Sequence, residues 1–489
     1  MKLALSRKNL WEHLQASLKP GIASVLGTLP PGYVLGREFR RTRAFLRDSE
    51  WWPAGRTRAH QLDQLRRILG IARDRTAFYR RTFFAAGFDP RDLRSPEDLG
   101  GLPTIDRQTV RTHLEEMCAT PPRSAKVDYT STGGSTGPPL SFYIGSERSG
   151  VEYAYLVASW ERAGFRFGMP LASLRGRLVQ ADASGFHHEY DPLLRHHYYS
   201  NLHMTDDHAH RYLKHIAGLG PCFLHMYPSS AAALANFAKR TGVQPPLNVK
   251  GILAGSENVY PEQRRAVTDT LNYRYFSWYG LTEKVVLAAE CEHSDRYHVW
   301  PNYGFFELLD DNGNPITTPG QRGEIVGTGF INTVVPFIRY RTGDHATYVG
   351  DHCPACKREH PIISDIRGHR IQEVLVTQDG SLVTWTAVNV HDDTFDRVLH
   401  FQFYQDTPGR SVLRIVPAKG FSQADRDRIH SRINRKLYQR LEVDLQLVDS
   451  IPLTRSGKTI YVDQRIPSAM ISDLSMEPQF ESSARAATS

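Results

Sequence analysis

Residues 129–139 read YTSTGGSTGPP, and this stretch says most about the fold and chemistry of the chain. A run of hydroxyl and glycine residues closed by Pro-Pro indicates a loop, not the interior of a helix or strand. Glycines let backbone N–H groups turn towards a bound anion, and hydroxyls add further donors. The stretch predicts a loop that holds a triphosphate, with donors from Ser131, Thr132, Gly133, Gly134, Ser135, Thr136 and Gly137.

Two other interpretations of this loop are weaker. The order G-x-x-x-x-G-K-[ST] of a Walker loop is absent from it. A flexible Ser/Thr/Gly linker is the simpler alternative. Linkers do not usually lie between apolar, strand-like runs, as this stretch does.

Length and composition place the chain among ordinary globular proteins. Its 489 residues suffice for about three cores of roughly 150 residues each. Hydrophobic residues at 40% and charged residues at 23% exclude a wholly disordered or collagen-like chain. Five cysteines, an odd number, argue against a secreted disulfide framework. Because we find neither a long apolar run nor a signal peptide, we expect a cytoplasmic protein.

The pattern along the chain indicates α/β layers. Residues 56–86 carry apolar side chains at helical spacing and predict one helix. From about Asp128, short β-branched or aromatic runs alternate with helical stretches. After Gly368 the pattern changes to several strand-like runs and one charged helix, which predicts a separate unit of about 120 residues.

Three further motifs follow the loop in order. They read WYGLTE at 278–283, YRTGD at 340–344 and PLTRSGK at 452–458. With residues 129–139 they resemble the nucleotide motifs of the adenylate-forming superfamily of acyl-CoA synthetases, peptide-synthetase adenylation domains and luciferases. The resemblance implies an α/β fold with a large N-terminal domain of mixed sheets and helices and a small C-terminal α+β lid domain.

The resemblance also implies domain boundaries. We expect a basic helical segment of the large domain at 1–125, its nucleotide- and substrate-binding remainder at 126–366, the lid at 367–470 and a disordered tail at 471–489. The lid of the family turns on a hinge that usually reads Gly-Arg-x-Asp-Asp. Here residues 367–373 read RGHRIQE, so either Gln372 or Glu373 takes the pivot or the register differs.

Single residues receive roles from the same resemblance. The resemblance assigns nucleotide binding to the loop residues and to Tyr279, Gly280, Asp344 and Arg367. It assigns catalysis to Thr282, Glu283 and Lys458. The chemistry agrees, because joining a carboxylate to the α-phosphate of ATP brings two anions together and needs charge neutralisation and alignment. Glu283 offers a hard oxygen ligand for Mg²⁺, and Lys458 a mobile positive charge.

Within the superfamily the chain most resembles the phenylacetate–CoA ligase branch, particularly its capsular-polysaccharide-locus relatives. The resemblance covers roughly residues 45–466 and rests on SEWW at 49–52, YPSS at 227–230, GSE at 255–257 and HFQF at 400–403. It implies formation of an acyl-adenylate and pyrophosphate from a carboxylic acid and ATP, with CoA as the default acceptor. Transfer to an amine or hydroxyl, giving an amide or ester on a polysaccharide precursor or natural product, is the alternative.

We expect the wall of the pocket that holds the acyl substrate to include His225, Tyr227, Ser256 and Glu257. These residues lie between the phosphate loop and the WYGLTE motif at 278–283. We call this wall the acyl wall.

A C-x-x-C pair at Cys353 and Cys356, with Cys291 and His298 upstream, predicts a metal site. Three thiolates and one imidazole form a closed tetrahedral zinc set, which is structural. Two free cysteines in a loop are the alternative, and His293 and His352 are substitute ligands. A second, histidine-rich stretch at 187–215 matches no compact ligand motif, so we expect surface and pocket-wall histidines there.

The net charge of +8 lies in the first quarter of the chain. Residues 1–125 hold 22 Lys/Arg and 13 Asp/Glu, whereas the other 364 residues hold 38 and 39. The excess suggests docking to an acidic acceptor or a membrane surface, and a solvated helical surface is the alternative. Removing the arginine cluster 37–47 should then spare adenylation and impair transfer or localisation. A basic, zinc-containing nucleic-acid-binding protein would also explain the charge and cysteines, but not the four ATP motifs.

Overall fold

A computed structural model of the chain describes residues 35–132, 140–177, 179–201, 204–368, 374–384, 388, 393–395, 397–437, 440–451 and 461–466. Several predictions lie outside the described residues: the loop positions 133–137, the hinge at 369–373, Lys458 and the tail at 471–489.

Helices fill the first part of the described chain and then alternate with strands. The helices are α1 (Gly36–Ser49), α2 (Ala54–Arg75), α3 (Ala77–Ala85), α4 (Arg107–His113), α5 (Arg148–Glu161), α6 (Asp206–Ala217), α7 (Pro228–Thr241), α8 (Pro261–Leu271) and α9 (Gln423–Leu437). The strands up to the end of the large unit are β1 (Val127–Ser131), β2 (Ser141–Gly145), β3 (Leu171–Arg175), β4 (His188–Asp191), β5 (His196–Ser200), β6 (Cys222–Met226), β7 (Val249–Gly255), β8 (Tyr275–Gly280), β9 (Leu287–Glu290), β10 (Tyr297–Val299), β11 (Gly304–Leu309), β12 (Arg322–Gly329), β13 (Tyr340–Gly350) and β14 (Ile362–Arg367). Those after it are β15 (Val374–Val376), β16 (Leu382–Thr384), β17 (Val398–Thr407), β18 (Arg410–Pro417), β19 (Glu442–Leu447) and β20 (Val462–Gln464).

Two helices replace the single helix predicted for residues 56–86. The helix is interrupted at Thr76, whose backbone is extended, with φ −124° and ψ 137°. The Thr76 hydroxyl accepts a hydrogen bond from the backbone N–H of Tyr79 at 3.2 Å, the contact that favours threonine just before a helix. Apolar residues keep helical spacing on both sides of the break, so periodicity alone predicts one helix.

One twelve-stranded sheet organises the large unit. Its order is β11-β12-β13-β14-β10-β9-β8-β7-β6-β3-β5-β4. Strands β5, β3, β6, β7 and β8 run parallel to one another. The strands from β8 to β11 pair antiparallel, and so does the edge strand β4 with β5. The residues of β7 are buried except Lys250, as expected for a parallel strand covered on both faces. The carboxyl ends of the parallel strands therefore meet at one edge of the sheet.

A smaller unit follows in the chain. Its four-stranded sheet has the order β19-β18-β17-β20, and Ile429 and Ile433 of α9 share a buried cluster with Phe401, Phe403 and Val443 of the sheet. A large mixed α/β unit with a smaller α+β unit confirms the predicted fold class. The boundaries at 125/126, 366/367 and 470/471 stay predictions. β14 ends at Arg367 and the next described strand begins at Val374.

Part of the basic N-terminal segment is used inside the fold. Arg43 is 9% exposed and pairs with Glu161. Glu50 accepts hydrogen bonds from Arg162 at 3.0 Å and from Arg358 at 2.7 Å, and both guanidinium groups are almost inaccessible to solvent. Removing one partner from such a buried network typically costs about 3–5 kcal/mol of stability.

Because Arg43 is buried in an ion pair, only the exposed arginines of α1 remain candidates for docking to an acidic acceptor or a membrane surface. Arg43 supports the packing of α1 on α5, so deleting the whole cluster 37–47 would disturb the fold as well as any docking surface. The exposed arginines of α1 are Arg37, Arg40, Arg41 and Arg47, and docking through them stays a prediction. None of the helices among the described residues is long and apolar enough to cross a lipid bilayer.

Candidate functional site

A cavity of about 890 Å³ opens at the carboxyl edge of the parallel strands. Arg175 at the end of β3, Ser256 just after β7 and Tyr279 near the end of β8 line one part of it. Asp344 of β13 and Arg367 of β14 line another part. Ligand sites in open α/β sheets form at this edge, beyond the carboxyl ends of the strands.

Described residues of the predicted nucleotide motifs meet in this cavity. The wall includes Thr132, Tyr279, Gly280, Thr282, Glu283, Asp344 and Arg367. Ser131, the last residue of β1, is buried and does not line it. Because these residues come from distant parts of the chain, only the fold brings them together.

Two tyrosines hold the acidic residues of these motifs. Tyr279 donates a hydrogen bond to Asp344 at 2.8 Å, and Tyr340 donates one to Glu283 at 3.0 Å. Burial, reinforced by these carboxylates, raises the pKa of both phenols well above the ordinary tyrosine value. Each phenol therefore stays a neutral donor and fixes the position of a carboxylate at the cavity wall.

Two arginines of α4 line the cavity and were missed by the sequence reasoning. Arg107 donates to the hydroxyl of Thr132 at 3.2 Å, beside the start of the loop at 133–139. The Nη1 atom of Arg107 and the Nη2 atom of Arg111 are buried and have no hydrogen-bond partner among the described residues. Burial and the adjacent Arg107 lower the pKa of Arg111 to about 10. Two neighbouring guanidinium groups with open N–H donors suit a bound anion.

A sequence signal for these arginines existed. The spacing RQTVR at 107–111 puts both side chains on one face of a helix, one turn apart. They lie in the basic segment 1–125, where the charge excess alone suggests a docking surface or a solvated helical surface, not a cavity wall.

Three of the four residues expected in the acyl wall line the cavity, and their contact with an acyl group stays a prediction. Tyr227, Ser256 and Glu257 line the cavity, whereas His225 reaches it only through Arg175, which donates to its Nε2 at 2.7 Å. Burial and the charge of Arg175 lower the pKa of His225 well below its ordinary value, so this imidazole is a neutral acceptor. Arg175 is a further wall residue that the sequence reasoning missed.

The smaller unit packs against one residue of the cavity wall, Tyr227. Tyr227 shares a buried cluster with Tyr461, Phe401 and other side chains of that unit. Tyr461 also lies close enough to Arg111 to favour its charged form, against the effect of burial. Tyr461 directly follows the segment 452–460, so the place of Lys458 over the cavity stays a prediction.

Cys291, His298, Cys353 and Cys356 come together as the sequence predicts. Their ligand atoms lie within 4.8 Å of one another, and all four residues are buried. The Sγ atom of Cys356 and the Nε2 atom of His298 are 3.7 Å apart. The substitute ligand His352 instead contacts Glu359 at 2.7 Å on the surface. This closed set of three thiols and one imidazole fits zinc.

Three histidines of the histidine-rich stretch also meet, contrary to our expectation. His188 of β4, His197 of β5 and His215 of α6 bring ring nitrogens within 4.8 Å of one another. They are half-buried and do not line the cavity. In the antiparallel pair of β4 and β5, His188 lies opposite Tyr199 and diagonal to His197, with His188 Nε2 and His197 Nδ1 3.1 Å apart. Spacing along the chain does not show such pairing.

Comparison with known proteins supports the resemblance. Residues 375–465 match the family described as the CapK C-terminal domain. The chain is 28% identical over 357 residues to the phenylacetate-coenzyme A ligase of Thermus thermophilus, which covers 72% of this chain and 76% of the relative. It is 22% identical over 373 residues to protein CapK of Staphylococcus aureus, covering 74% and 79% of the two chains.

A solved structure agrees with these relatives. The chain resembles a 2-hydroxyisobutyryl-CoA ligase crystallised with its acyl-adenylate and CoA, with a TM-score of 0.55 and 20% identity, over 87% of this chain and 93% of the other. The predicted relationship to phenylacetate–CoA ligases and CapK, with the adenylate-forming fold, is confirmed.

We expect Arg111→Met to weaken the binding of magnesium pyrophosphate about 10- to 100-fold, the usual effect of losing a charge-assisted hydrogen bond. The variant should unfold at the same or a higher temperature, because it removes a buried positive charge beside Arg107. Calorimetric titration and thermal unfolding measure the two effects. Arg123→Met, on an exposed site, is the control, and unchanged pyrophosphate affinity in Arg111→Met would contradict the anion role.

Proposed function

We propose that the chain is an AMP-forming ligase that activates a carboxylic acid with ATP and transfers the acyl group to CoA. The observation that carries the proposal is the single cavity in which Thr132, Tyr279, Glu283, Asp344 and Arg367 meet. Chance turns or caps would not converge on one site. The phenylacetate-coenzyme A ligases among the relatives support the same chemistry.

In the first step a carboxylate oxygen attacks the α-phosphorus of ATP, and the bond from that phosphorus to pyrophosphate breaks. Asp344 would hold the ribose hydroxyls, and Arg107 and Arg111 would hold the departing phosphates together with the loop. The hydroxyl of Thr282 is on the cavity wall and would donate to the α-phosphate. These contacts act by alignment and charge neutralisation, with no covalent nucleophile from the protein.

The carboxylate of Glu283 is the residue that fits Mg²⁺, because it is a hard oxygen donor fixed by Tyr340 at the cavity wall. Bound there, the ion would neutralise phosphate charge. We assign Lys458 to the same task at the reacting carboxylate, where a point charge on a flexible stem suits a lid.

In the second step the CoA sulfur attacks the acyl carbon, and AMP leaves with the carboxylate oxygen. CoA is the favoured acceptor because the named relatives include several CoA ligases. The match of residues 375–465 to the CapK C-terminal domain keeps an amine or hydroxyl acceptor as the second candidate, because this unit packs against Tyr227 of the cavity wall. The nucleic-acid-binding alternative gives no account of the cavity.

Pyrophosphate release from ATP, screened over a carboxylic-acid library with and without CoA, tests the proposal. We expect release that depends on the acid and multiple turnovers that depend on CoA. Lys458→Ala should slow release roughly 10²- to 10³-fold, the usual loss for one transition-state donor, whereas Lys419→Ala, at an exposed site of the same unit, should not. Turnover that ignores CoA selects the second acceptor class, and undiminished release in Lys458→Ala contradicts the assignment.

We also propose that Cys291, His298, Cys353 and Cys356 hold a structural zinc ion. The site would join the segment after β9, strand β10 and the loop between β13 and β14. A structural zinc site of this kind adds its binding free energy to the stability of the fold.

Metal analysis of protein purified without a histidine tag measures this site. We expect Cys353→Ser to lose one equivalent of zinc per chain and to unfold at a lower temperature. Cys118→Ser is the matched control, because this half-buried thiol donates to the carbonyl of Leu114 at 3.2 Å and a serine hydroxyl can replace it. Equal zinc content in the wild type and Cys353→Ser would overturn the assignment.

A further inference from the structure

Arg175 places a positive charge in the acyl wall of the cavity. Its Nη1 donates to His225 at 2.7 Å and its Nη2 donates to the hydroxyl of Ser256 at 2.5 Å. Both acceptors are uncharged, and none of the ion pairs among the described residues includes Arg175. The wall therefore contains a guanidinium group that forms no ion pair with the described residues. The carboxylate of Glu257 lines the same cavity and accepts a hydrogen bond from the backbone N–H of Ser229 at 3.1 Å.

Aromatic rings hold this guanidinium in place. Its central carbon lies 4.6 Å from the ring centre of Tyr227 and 5.7 Å from that of Trp278. The Trp278 ring reaches across β7 because residue 255 is glycine, where a Cβ atom would come within 2.5 Å of the indole. Stacking on two rings leaves the planar edge of the guanidinium for hydrogen bonds.

The backbone near Ser256 is also arranged around Arg175. Ser256 has φ +71°, a left-handed conformation that serine adopts at a cost. This conformation follows directly after β7 and presents the hydroxyl to Arg175. Such a strained residue at a cavity wall indicates that the position of the guanidinium matters for the site.

The location of Arg175 separates it from the reacting carboxylate. Arg175 ends β3, and strands β6 and β7 lie between β3 and β8, which leads into Thr282 and Glu283. The side chain of Arg175 extends towards β8, where its guanidinium lies beside Trp278, four residues before Thr282. At about 3.3 Å per residue, four extended residues span roughly 13 Å. A substrate whose carboxylate reacts beside Thr282 would direct its other end towards Arg175.

We propose that the acid activated by this enzyme carries a second anionic group, which binds to Arg175 at the far end of the acyl pocket. This inference rests on the proposed function for the identity of the ligand as a carboxylic acid. An anionic group on the substrate would supply a negatively charged partner for Arg175. The planar guanidinium suits a carboxylate that accepts two hydrogen bonds. Neutral acids of the same length leave this charge unsatisfied in a partly desolvated pocket and bind more weakly.

Binding measurements on paired acids test the inference without requiring turnover. Each pair has one length and differs at the far end, such as adipate with hexanoate and 4-carboxyphenylacetate with 4-methylphenylacetate, titrated calorimetrically in the presence of an unreactive ATP analogue. In the best-fitting pair we expect the dianion to bind the wild type about 10- to 100-fold more tightly than its partner. Arg175→Met should abolish or reverse this preference, and Arg175→Lys should keep part of it because the charge remains.

Arg166→Gln, at an exposed site on the loop between α5 and β3, is the matched control and should keep the preference. Thermal unfolding of each variant checks that the fold is retained. If Arg175→Met weakens both members of a pair equally, Arg175 holds the reacting carboxylate and the inference is wrong. If the wild type prefers the neutral member in every pair that binds, the inference is also wrong. A preference for the dianion that Arg175→Met abolishes, without pyrophosphate release, would contradict the proposed ligase function and support only the binding of a dianionic acid at Arg175.

Discussion

The parallel pairing of β3, β6, β7 and β8 is the constraint on which the rest of the structure depends. Because these strands run in one direction, their carboxyl ends share one edge, and the residues that follow each strand are forced into one cavity. The change to antiparallel pairing after β8 then brings Asp344 and Arg367 to the same edge from the other half of the sheet. A site assembled from such distant segments exists only in the folded chain.

The charged side chains of that cavity differ from those buried elsewhere in the fold. The carboxylates of Asp344 and Glu283 are fixed by neutral tyrosines, and the guanidinium groups of Arg107, Arg111 and Arg175 are not neutralised by the ion pairs of the described residues. Partly buried charges of this kind oppose folding unless a ligand completes them. By contrast, Glu50 neutralises two buried arginines in the body of the fold. We propose that the first set serves binding, whereas the second set forms ion pairs that stabilise the fold.

Much of this site was predictable from sequence, and the failures have physical causes. The alternation of strands and helices after Asp128 and the cluster of Cys291, Cys353 and Cys356 depend on local pattern and spacing, which the sequence carries directly. The break at Thr76 depends on one capping contact within unbroken apolar periodicity. Arg175 and the three clustered histidines depend on which strands pair, and a single sequence does not contain that information.

The central claim is that a carboxylate attacks the α-phosphate of ATP in this cavity, and oxygen transfer tests it most directly. A substrate acid labelled with ¹⁸O in both carboxylate oxygens is incubated with ATP and CoA, and the AMP is analysed by mass spectrometry. The account predicts one ¹⁸O atom in each AMP, because the bridging oxygen of the acyl-adenylate comes from the acid and leaves with AMP when the thioester forms. Unlabelled AMP, or ADP as the nucleotide product, would contradict it.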